Sequence, residues 1–247
     1  MLGIIGGSGL TRLPNLAITR RQVVRTPYGD PSSALIFGMV ADREVVFLAR
    51  HGQGHTIPPH RVNYRANLWA LHEEGVKEIV AVFSVGGIPE AIGPGVIVVP
   101  HQLIDYTHGR AHTFFDGHDL NVVHVDFTRP YSETIRRSLL AAAEKGNIPA
   151  IDGGIYGAVN GPRLETAAEI DRLERDGVTI VGMTGMPEAA LARELGVSYA
   201  GLAVSVNHAA GRGGNTEQIS LEQIKNVLEP AMSRVRDLLD GWVRDHD

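Results

Sequence analysis

The sequence predicts a single α/β domain, residues 1–247, in which a mainly parallel mixed sheet is flanked by helices. The length of 247 residues fits one large domain better than two. Short apolar runs alternate with stretches of helical spacing, which is typical of parallel strands joined by helices. The runs are apolar throughout, which indicates strands that are buried on both faces of the sheet.

The predicted strands end in glycine, in turn residues or at the start of the next helical pattern. In chain order they are residues 2–5, 34–40, 45–49, 78–83, 96–99, 155–159, 178–181 and 197–206. The second and third of these are predicted to pair across a short turn. Gly86 and Gly87 are predicted to end the strand that begins at Glu78.

Five helices are predicted from apolar residues at helical spacing and from residues that start or stop a helix. They cover residues 64–74, 131–144, 165–175, 187–194 and 221–242. Gly75 and Gly146 end the first two, and Pro187 begins the fourth, where proline is favoured. Residues 101–123 show little periodicity and are predicted to form a long loop.

Composition argues against several classes of protein. The net charge is −5 and Lys and Arg do not cluster, so a nucleic-acid partner is not expected. No apolar run reaches the ~20 residues that cross a bilayer, and the glycine-rich start lacks the pattern of a signal peptide. The chain has no cysteine, which excludes disulfides and thiolate metal sites and fits a cytoplasmic protein.

Four predicted strand ends carry a hydroxyl or a guanidinium group beside glycines. These groups are Ser8 within 6–9, Arg50 with His51 within 50–55, Ser84 within 83–87, and Thr184 within 182–188. Ligands in such folds bind outside the carboxyl ends of the strands, and these groups suit an anion. Thr184 also lies near a predicted helix N-terminus, which favours anions. We therefore expect the four strand ends to converge on one phosphate.

Other readings of these motifs are weaker. Arg12 stands where the third glycine of the dinucleotide-binding motif falls, so an oxidoreductase of that type is disfavoured. Glycines separate His51 from His55 without an acidic ligand nearby, so no metal site is expected. Met183 is either ordinary core packing or an adaptable apolar floor under a sugar. The residues alone thus indicate an α/β enzyme that binds an inorganic or esterified phosphate.

Motifs along nearly the whole chain resemble the trimeric purine-nucleoside phosphorylase and methylthioadenosine phosphorylase family. The matching stretches are residues 3–10, 26–29, 48–52, 63–67, 161–163 and 183–188. The methylthioadenosine branch is the closer one, judged by residues 50–52 and 63–67. The resemblance implies a nucleoside phosphorylase-like fold and phosphorolysis, in which phosphate attacks the sugar C1′ and the purine leaves. It implies phosphate as a co-substrate and no metal or organic cofactor.

The resemblance also implies roles for individual residues. Phosphate would be held by Ser8, Arg50, His51 and Thr184 with the backbone at Ser84, and Met183 would lie under the ribose. His124 matches a family position that reaches the neighbouring subunit's active site. The resemblance therefore implies a homotrimer with active sites near the subunit interfaces.

Two positions depart from the methylthioadenosine phosphorylases, in which aspartates follow the late strand. Asn207 and Ala209 replace these aspartates here. Asn207 can donate to the 6-carbonyl of hypoxanthine and accept from N7–H, and Glu165 can accept from N1–H, whereas adenine offers Glu165 only a lone pair. Both positions resemble the 6-oxopurine phosphorylases, and Asn207 is the candidate catalytic residue. The alternative is that Glu165 only starts a helix and Asn207 only ends a strand.

The pocket for the 5′ group is predicted at the start of the final helix. General inosine phosphorylases place a histidine there, whereas this chain has Leu221 and Ile224, which lie on one helical face. An apolar wall favours a methylthio group, so the expected substrate is S-methyl-5′-thioinosine. The alternatives are an adenine-releasing methylthioadenosine phosphorylase, a general 6-oxopurine nucleoside phosphorylase and a nucleotide-binding regulatory module. Residues 211–214 are predicted to form the hinge of a lid.

Overall fold

The computed structural model describes residues 1–117, 121–214 and 221–246, with the backbone alone described at Leu221 and Gln223. In this part of the chain, eleven strands form one sheet. They are β1 (Leu2–Gly6), β2 (Ala17–Gln22), β3 (Leu35–Val40), β4 (Arg43–Ala49), β5 (Glu78–Gly87), β6 (Ile97–Val99), β7 (Gln102–Asp105), β8 (Ala150–Asp152), β9 (Ile155–Ala158), β10 (Ile180–Gly182) and β11 (Ser198–His208). The helices are α1 (Tyr64–Glu73), α2 (Glu133–Lys145), α3 (Ala167–Arg175), α4 (Gly185–Glu194) and α5 (Leu221–Asp245), with a 3₁₀ turn at Pro59–Arg61.

The sheet is mixed and mainly parallel, as the sequence predicts. Its main path runs β2-β3-β4-β1-β5-β10-β9-β7, and β11 joins it at β5 and continues to β6 and β8. Parallel pairs link β1 to β4 and β5, β11 to β5, β9 to β7 and β10, and β6 to β8. The remaining pairs are antiparallel, including the predicted pair of β3 and β4.

Helices cover both faces of the sheet, so both faces of the central strands are buried. On β1, the side chain of Ile5 packs into a core that also contains residues of α1 and α4. The neighbouring Ile4 packs into the opposite core, with residues of α2 and α5. Successive side chains point to opposite faces of a strand, which explains why these strands are apolar at every position.

The largest differences from the sequence prediction lie in four strands. β5 continues through Gly86 and Gly87, because glycine permits a close backbone approach there: a Cβ on Gly87 would lie 1.8 Å from the carbonyl oxygen of Ile92. β7 lies inside the predicted loop 101–123. The strands β2 and β8 were not predicted; β2 is an exposed, charged edge strand without an apolar pattern.

α5 is amphipathic and lies along the sheet. Met232, Val235 and Leu239 are buried on one side, whereas Lys225 and Glu229 are exposed on the other. Within the described ranges, no helix combines the length and the apolar character that crossing a membrane requires.

Candidate active site

A cavity of about 430 Å³ opens at the carboxyl ends of the central strands. It collects residues that follow β1, β4 and β10 or lie late in β5 and β11, together with one side of α5. The predicted site residues on its wall are Ser8, Arg50, His51, Ser84, Glu165, Met183, Thr184, Asn207 and Ile224. The parallel strands thus bring distant stretches of the chain to one edge of the sheet.

The turn after β1 lies directly against β5. A Cβ on Gly7 would lie 2.6 Å from the carbonyl oxygen of Val82 and 3.1 Å from Nη1 of Arg50, so only glycine allows this approach. Ser84 Oγ donates to the carbonyl oxygen of Ser8 at 3.2 Å, which fixes the turn to the strand. Ser8 and the arginine that follows β4 therefore line the same cavity.

Arg50 is fully buried and already oriented by other groups. Its Nε and Nη2 each donate to a carboxylate oxygen of Glu188 at 2.7 Å, and its Nη1 donates to the carbonyl oxygen of Val82 at 3.0 Å. Tyr199 donates its hydroxyl to the same carboxylate at 2.7 Å. Burial lowers the pKa of the guanidinium, but the charge and hydrogen bonds of Glu188 outweigh this and raise it. Three of the five N–H groups of Arg50 are used, so two on the Nη atoms remain for an anion.

His51 is held in one tautomer. Its Nδ1 lies 2.8 Å from the carbonyl oxygen of Ile57, and because a carbonyl only accepts, Nδ1 carries the hydrogen. Burial and the neighbouring charge of Arg50 lower the pKa of His51 to about 4. The ring is therefore neutral near pH 7, and its Nε2 is a hydrogen-bond acceptor. Burial also lowers the pKa of His55, whose Nε2 lies 3.4 Å from Ser8 Oγ.

The backbone amides at the start of α4 are paired with a tyrosine hydroxyl. The hydroxyl of the buried Tyr156 accepts from the backbone N–H groups of Thr184 and Gly185, at 3.2 and 3.3 Å. These two amides are therefore already paired within the protein, while the position of Thr184 near the start of the helix agrees with the sequence. Thr184 lines the cavity, so its side chain is the group left to bind there.

Met183 lies on the wall next to Thr184 and against the backbone of Gly161. A Cβ on Gly161 would lie 2.3 Å from Met183 Sδ, and Gly161 has φ +63°. Glycine is thus required here both for the close approach and for the left-handed backbone. The contact places an apolar thioether surface in the middle of the cavity wall.

Asn207 and Glu165 lie on the wall of the same cavity. Asn207 follows a bulge in β11, at which the register with β5 shifts between Ser205 and Asn207. Its Nδ2 donates to the carbonyl oxygen of His208 at 2.5 Å, which leaves one Nδ2 hydrogen and Oδ1 for a ligand. Glu165 precedes α3 and its N-cap, Thr166, and burial raises the pKa of Glu165. The prediction that the helix begins at residue 165 is therefore wrong, and Glu165 is free of the helical backbone.

A family model described as "Phosphorylase superfamily" matches residues 1–244. The chain belongs to the phosphorylase superfamily. Two of its similar relatives are named probable S-methyl-5′-thioinosine phosphorylase. The one from Pseudomonas syringae pv. tomato is 53% identical over 96% of this chain and 95% of the relative, and the one from Xanthomonas campestris pv. campestris is 48% identical over 98% and 97%.

Another superfamily member, a 6-oxopurine nucleoside phosphorylase from Pyrococcus furiosus, is 45% identical over 91% of this chain and 87% of its own length. Among solved structures, a methylthioadenosine phosphorylase from Schistosoma mansoni in complex with adenine superposes with a TM-score of 0.94. It is 34% identical and covers 98% of this chain and 90% of its own. The nucleoside phosphorylase-like fold expected from the sequence is confirmed.

Two predicted site residues of this superfamily member are not on the cavity wall, and the side chain of a third is not described. Ala209 is buried behind the strand, where a Cβ on Gly86 would lie 3.5 Å from the Ala209 Cβ. His124 is exposed and lies away from the cavity of its own chain. The side chain of Leu221 lies outside the described residues, although its backbone begins α5. None of these placements tests the role that the sequence assigned.

Several lining residues were missed by sequence reasoning. Leu228 lines the cavity with Ile224, one helical turn earlier, and this spacing is a signal that could have identified it. The stretch from Thr56 to Pro59 forms another part of the wall. Glu188 was missed because its role depends on meeting Arg50, which lies 138 positions earlier in the chain.

The described residues contain no group of three or more His, Cys, Asp or Glu side chains placed to hold a metal ion. The polar groups on the cavity wall are instead hydroxyls, an amide, neutral imidazoles, the oriented guanidinium and the single carboxyl group of Glu165. Such a set can bind an anion at one end and a heterocycle with mixed donors and acceptors at the other.

Proposed function

We propose that this chain catalyses phosphorolysis of S-methyl-5′-thioinosine, giving hypoxanthine and S-methyl-5-thio-α-D-ribose 1-phosphate, a reaction of purine salvage. One observation carries the proposal: the anion-binding groups, the two base-reading groups and an apolar helix face line a single cavity. The names of the similar relatives from Pseudomonas and Xanthomonas support the same substrate.

The phosphate is held by Ser8, Arg50, His51, Ser84 and Thr184 at the strand ends. The two unused N–H groups of Arg50 donate to phosphate oxygens, and the neutral Nε2 of His51 accepts the hydrogen of HPO₄²⁻. An oxygen of phosphate attacks C1′ as the C1′–N9 bond breaks, and the bonding electrons pass to the purine. The anion stabilises the cationic character that develops at C1′, and its fixed position removes much of the entropy barrier.

The leaving purine is read by Asn207 and Glu165. Oδ1 of Asn207 accepts from N7–H as that nitrogen gains a proton, and the remaining Nδ2 hydrogen donates to the 6-carbonyl. The carboxylate of Glu165 accepts from N1–H. A carboxamide is not an acid, so the proton at N7 comes from solvent, and it balances the hydrogen that HPO₄²⁻ loses. The methyl side chain of Ala209 cannot hydrogen-bond to the base, whereas an aspartate at this position could accept from it.

The sugar and its 5′ substituent meet apolar groups. Met183 lies under the ribose, and Ile224 and Leu228 of α5 cover the methylthio group. A 5′-hydroxyl buried against these side chains lacks a partner, which costs about 1–3 kcal/mol. The apolar wall should therefore favour binding of the methylthio nucleoside over inosine by about 5- to 150-fold.

The assembly proposed for this enzyme is a cytoplasmic homotrimer that needs no metal or organic cofactor. His124 would reach the site of the neighbouring subunit. Its flanking side chains Val122, Val123 and Val125 are 78%, 42% and 36% exposed, an apolar surface that suits a subunit contact. Light scattering that gives the mass of a monomer would contradict the trimer.

The deciding experiment compares methylthioinosine, methylthioadenosine and inosine in parallel phosphorolysis assays. We expect methylthioinosine to have the highest kcat/KM and hypoxanthine to be released. Faster turnover of methylthioadenosine favours the adenine-releasing alternative, which the structural likeness to the Schistosoma enzyme suggests. Comparable turnover of inosine favours a general 6-oxopurine phosphorylase. Binding of phosphate and purine without turnover of any nucleoside would favour a regulatory module.

A further inference from the structure

Arg110 lies between β7 and α2 and joins two chain segments through their backbone carbonyls. Its Nη1 donates to the carbonyl oxygens of Met183 and Met186, at 2.9 and 2.6 Å. Its Nη2 donates to the carbonyl oxygens of Asn160 and Val159, at 2.9 and 3.4 Å. A single side chain therefore holds the segment after β10 and the segment after β9 in one arrangement.

These two segments carry different parts of the cavity wall. The segment after β10 includes Met183, and the segment after β9 leads through Gly161 to Glu165. The backbone hydrogen bonds between the two strands extend to the N–H of Val159, which donates to the carbonyl oxygen of Gly182 at 2.9 Å. Beyond that point the guanidinium of Arg110 continues the connection, and Met183 Sδ packs on Gly161 beside it.

Arg110 also connects to a third part of the wall through Tyr64 of α1. Its guanidinium carbon lies 5.4 Å from the centre of the Tyr64 ring, and Nη1 lies 3.3 Å from the Tyr64 hydroxyl oxygen. The Tyr64 hydroxyl donates to the carbonyl oxygen of Pro59 at 2.9 Å, and Pro59 lines the cavity. Arg110 itself lies behind the cavity wall, so it acts through the segments it holds.

Arginine is suited to this task by its shape. The guanidinium is planar and always charged, and its N–H groups point in fixed directions, so carbonyls bound to Nη1 and Nη2 are held at a fixed separation. Lysine carries the same charge as a single flexible point and cannot reproduce the fork. Without a donor, these four carbonyls would turn toward other partners and move their segments.

We propose that Arg110 is a positioning residue for the nucleoside, which fixes Met183 relative to Glu165 and thereby sets the distance between the sugar floor and the base reader. This inference rests on the proposed function, because the sugar and the purine define those two positions. Of the proposed phosphate groups, Ser8, Arg50, His51 and Ser84 lie on other strand ends, and Thr184 alone lies on a segment that Arg110 holds. Arg110 therefore acts mainly on the nucleoside and less on phosphate.

The test is steady-state kinetics of Arg110→Gln with the nucleoside and phosphate varied in turn. We expect kcat/KM for the nucleoside to fall about 100-fold, the size of effect that a misplacement of ~1 Å produces. The KM for phosphate should rise much less than the nucleoside kcat/KM falls, because only one of the five proposed phosphate groups, Thr184, lies on a held segment. Arg110→Lys should restore little of the loss, because the fork is missing. If Arg110→Gln yields no folded protein, Arg110→Lys is the variant that decides.

Arg136→Gln is the matched control. Arg136 is likewise an arginine that donates to backbone carbonyls, those of Pro100 and Val99, but it lies on α2, away from the cavity. Arg136→Gln should lower the melting temperature without changing the KM for the nucleoside. A folded Arg110 variant with unchanged nucleoside kcat/KM, or with equal rises in both KM values, would overturn the inference. A parent enzyme that cleaves none of the three nucleosides would instead refute the proposed function.

Discussion

The buried pair of Arg50 and Glu188 gives the sharpest test of how this cavity binds phosphate. In Glu188→Gln the side chain keeps one acceptor oxygen, so one of the two 2.7 Å bonds to the guanidinium is lost and an amide N–H₂ group faces an arginine N–H. Removing one partner of a buried ion pair costs about 3–5 kcal/mol. For a chain of this size, each kcal/mol lowers Tm by about 2–4 °C, so the expected loss is about 6–20 °C.

The functional effect should fall on phosphate. Once Glu188 no longer holds the Nε and Nη2 edge, the two N–H groups that remain for the anion lose their fixed direction. We expect the KM for phosphate to rise at least about tenfold, which corresponds to ~1.4 kcal/mol, while the KM for the nucleoside changes less than about threefold. Initial rates with each substrate varied at saturation of the other measure both values.

Two further variants control this experiment. Glu133→Gln makes the same substitution beside another buried arginine, Arg136, far from the cavity, and should leave both KM values unchanged. Tyr199→Phe removes the hydroxyl that donates to Glu188 and should give a smaller rise in the KM for phosphate, which keeps the test open if Glu188→Gln does not fold. An unchanged KM for phosphate in folded Glu188→Gln would refute the reasoning.

Three more predictions concern the base, pH and the turn after β1. Asn207→Asp should shift the ratio of kcat/KM values toward methylthioadenosine; an unchanged ratio in parallel assays would show that Asn207 does not read position 6. The ratio of methylthioinosine kcat/KM to methylthioadenosine kcat/KM should fall as the pH is lowered from 8 to 5. Burial raises the pKa of Glu165, and the protonated carboxyl no longer accepts from N1–H of hypoxanthine but can donate to N1 of adenine. Glu165→Gln should remove this pH dependence, and a ratio that stays constant in the parent enzyme would contradict the prediction. Gly9→Ala should lower the free energy of unfolding, measured with urea, by about 1–3 kcal/mol. Gly9 has φ +77°, and a Cβ there would lie 2.9 Å from carbons of Leu228 and Met232. An unchanged free energy of unfolding would mean that α5 can move aside.

Much of the fold could be predicted from the sequence because local patterns carry it. Apolar runs predicted the central strands and helical spacing predicted all five helices, since a sheet covered on both faces demands apolar residues at every strand position. An exposed edge strand such as β2 does not require apolar residues, so its polar sequence does not predict a strand. The sequence predicts a strand end at Gly87, because it does not reveal that the backbone of Ile92 approaches this glycine within the strand.

The sequence by itself determined which chemical groups are available: an arginine, two histidines, hydroxyls at strand ends, an amide and a carboxylate. Only the tertiary structure decided how each group is used. Arg50 is paired with Glu188, and the amides at the start of α4 donate to the Tyr156 hydroxyl. Arg110, from a loop without periodicity, binds carbonyl groups of two segments of the cavity wall. The physical reason is that hydrogen bonds between residues far apart in the chain depend on where the sheet brings them, and a local pattern does not contain that information.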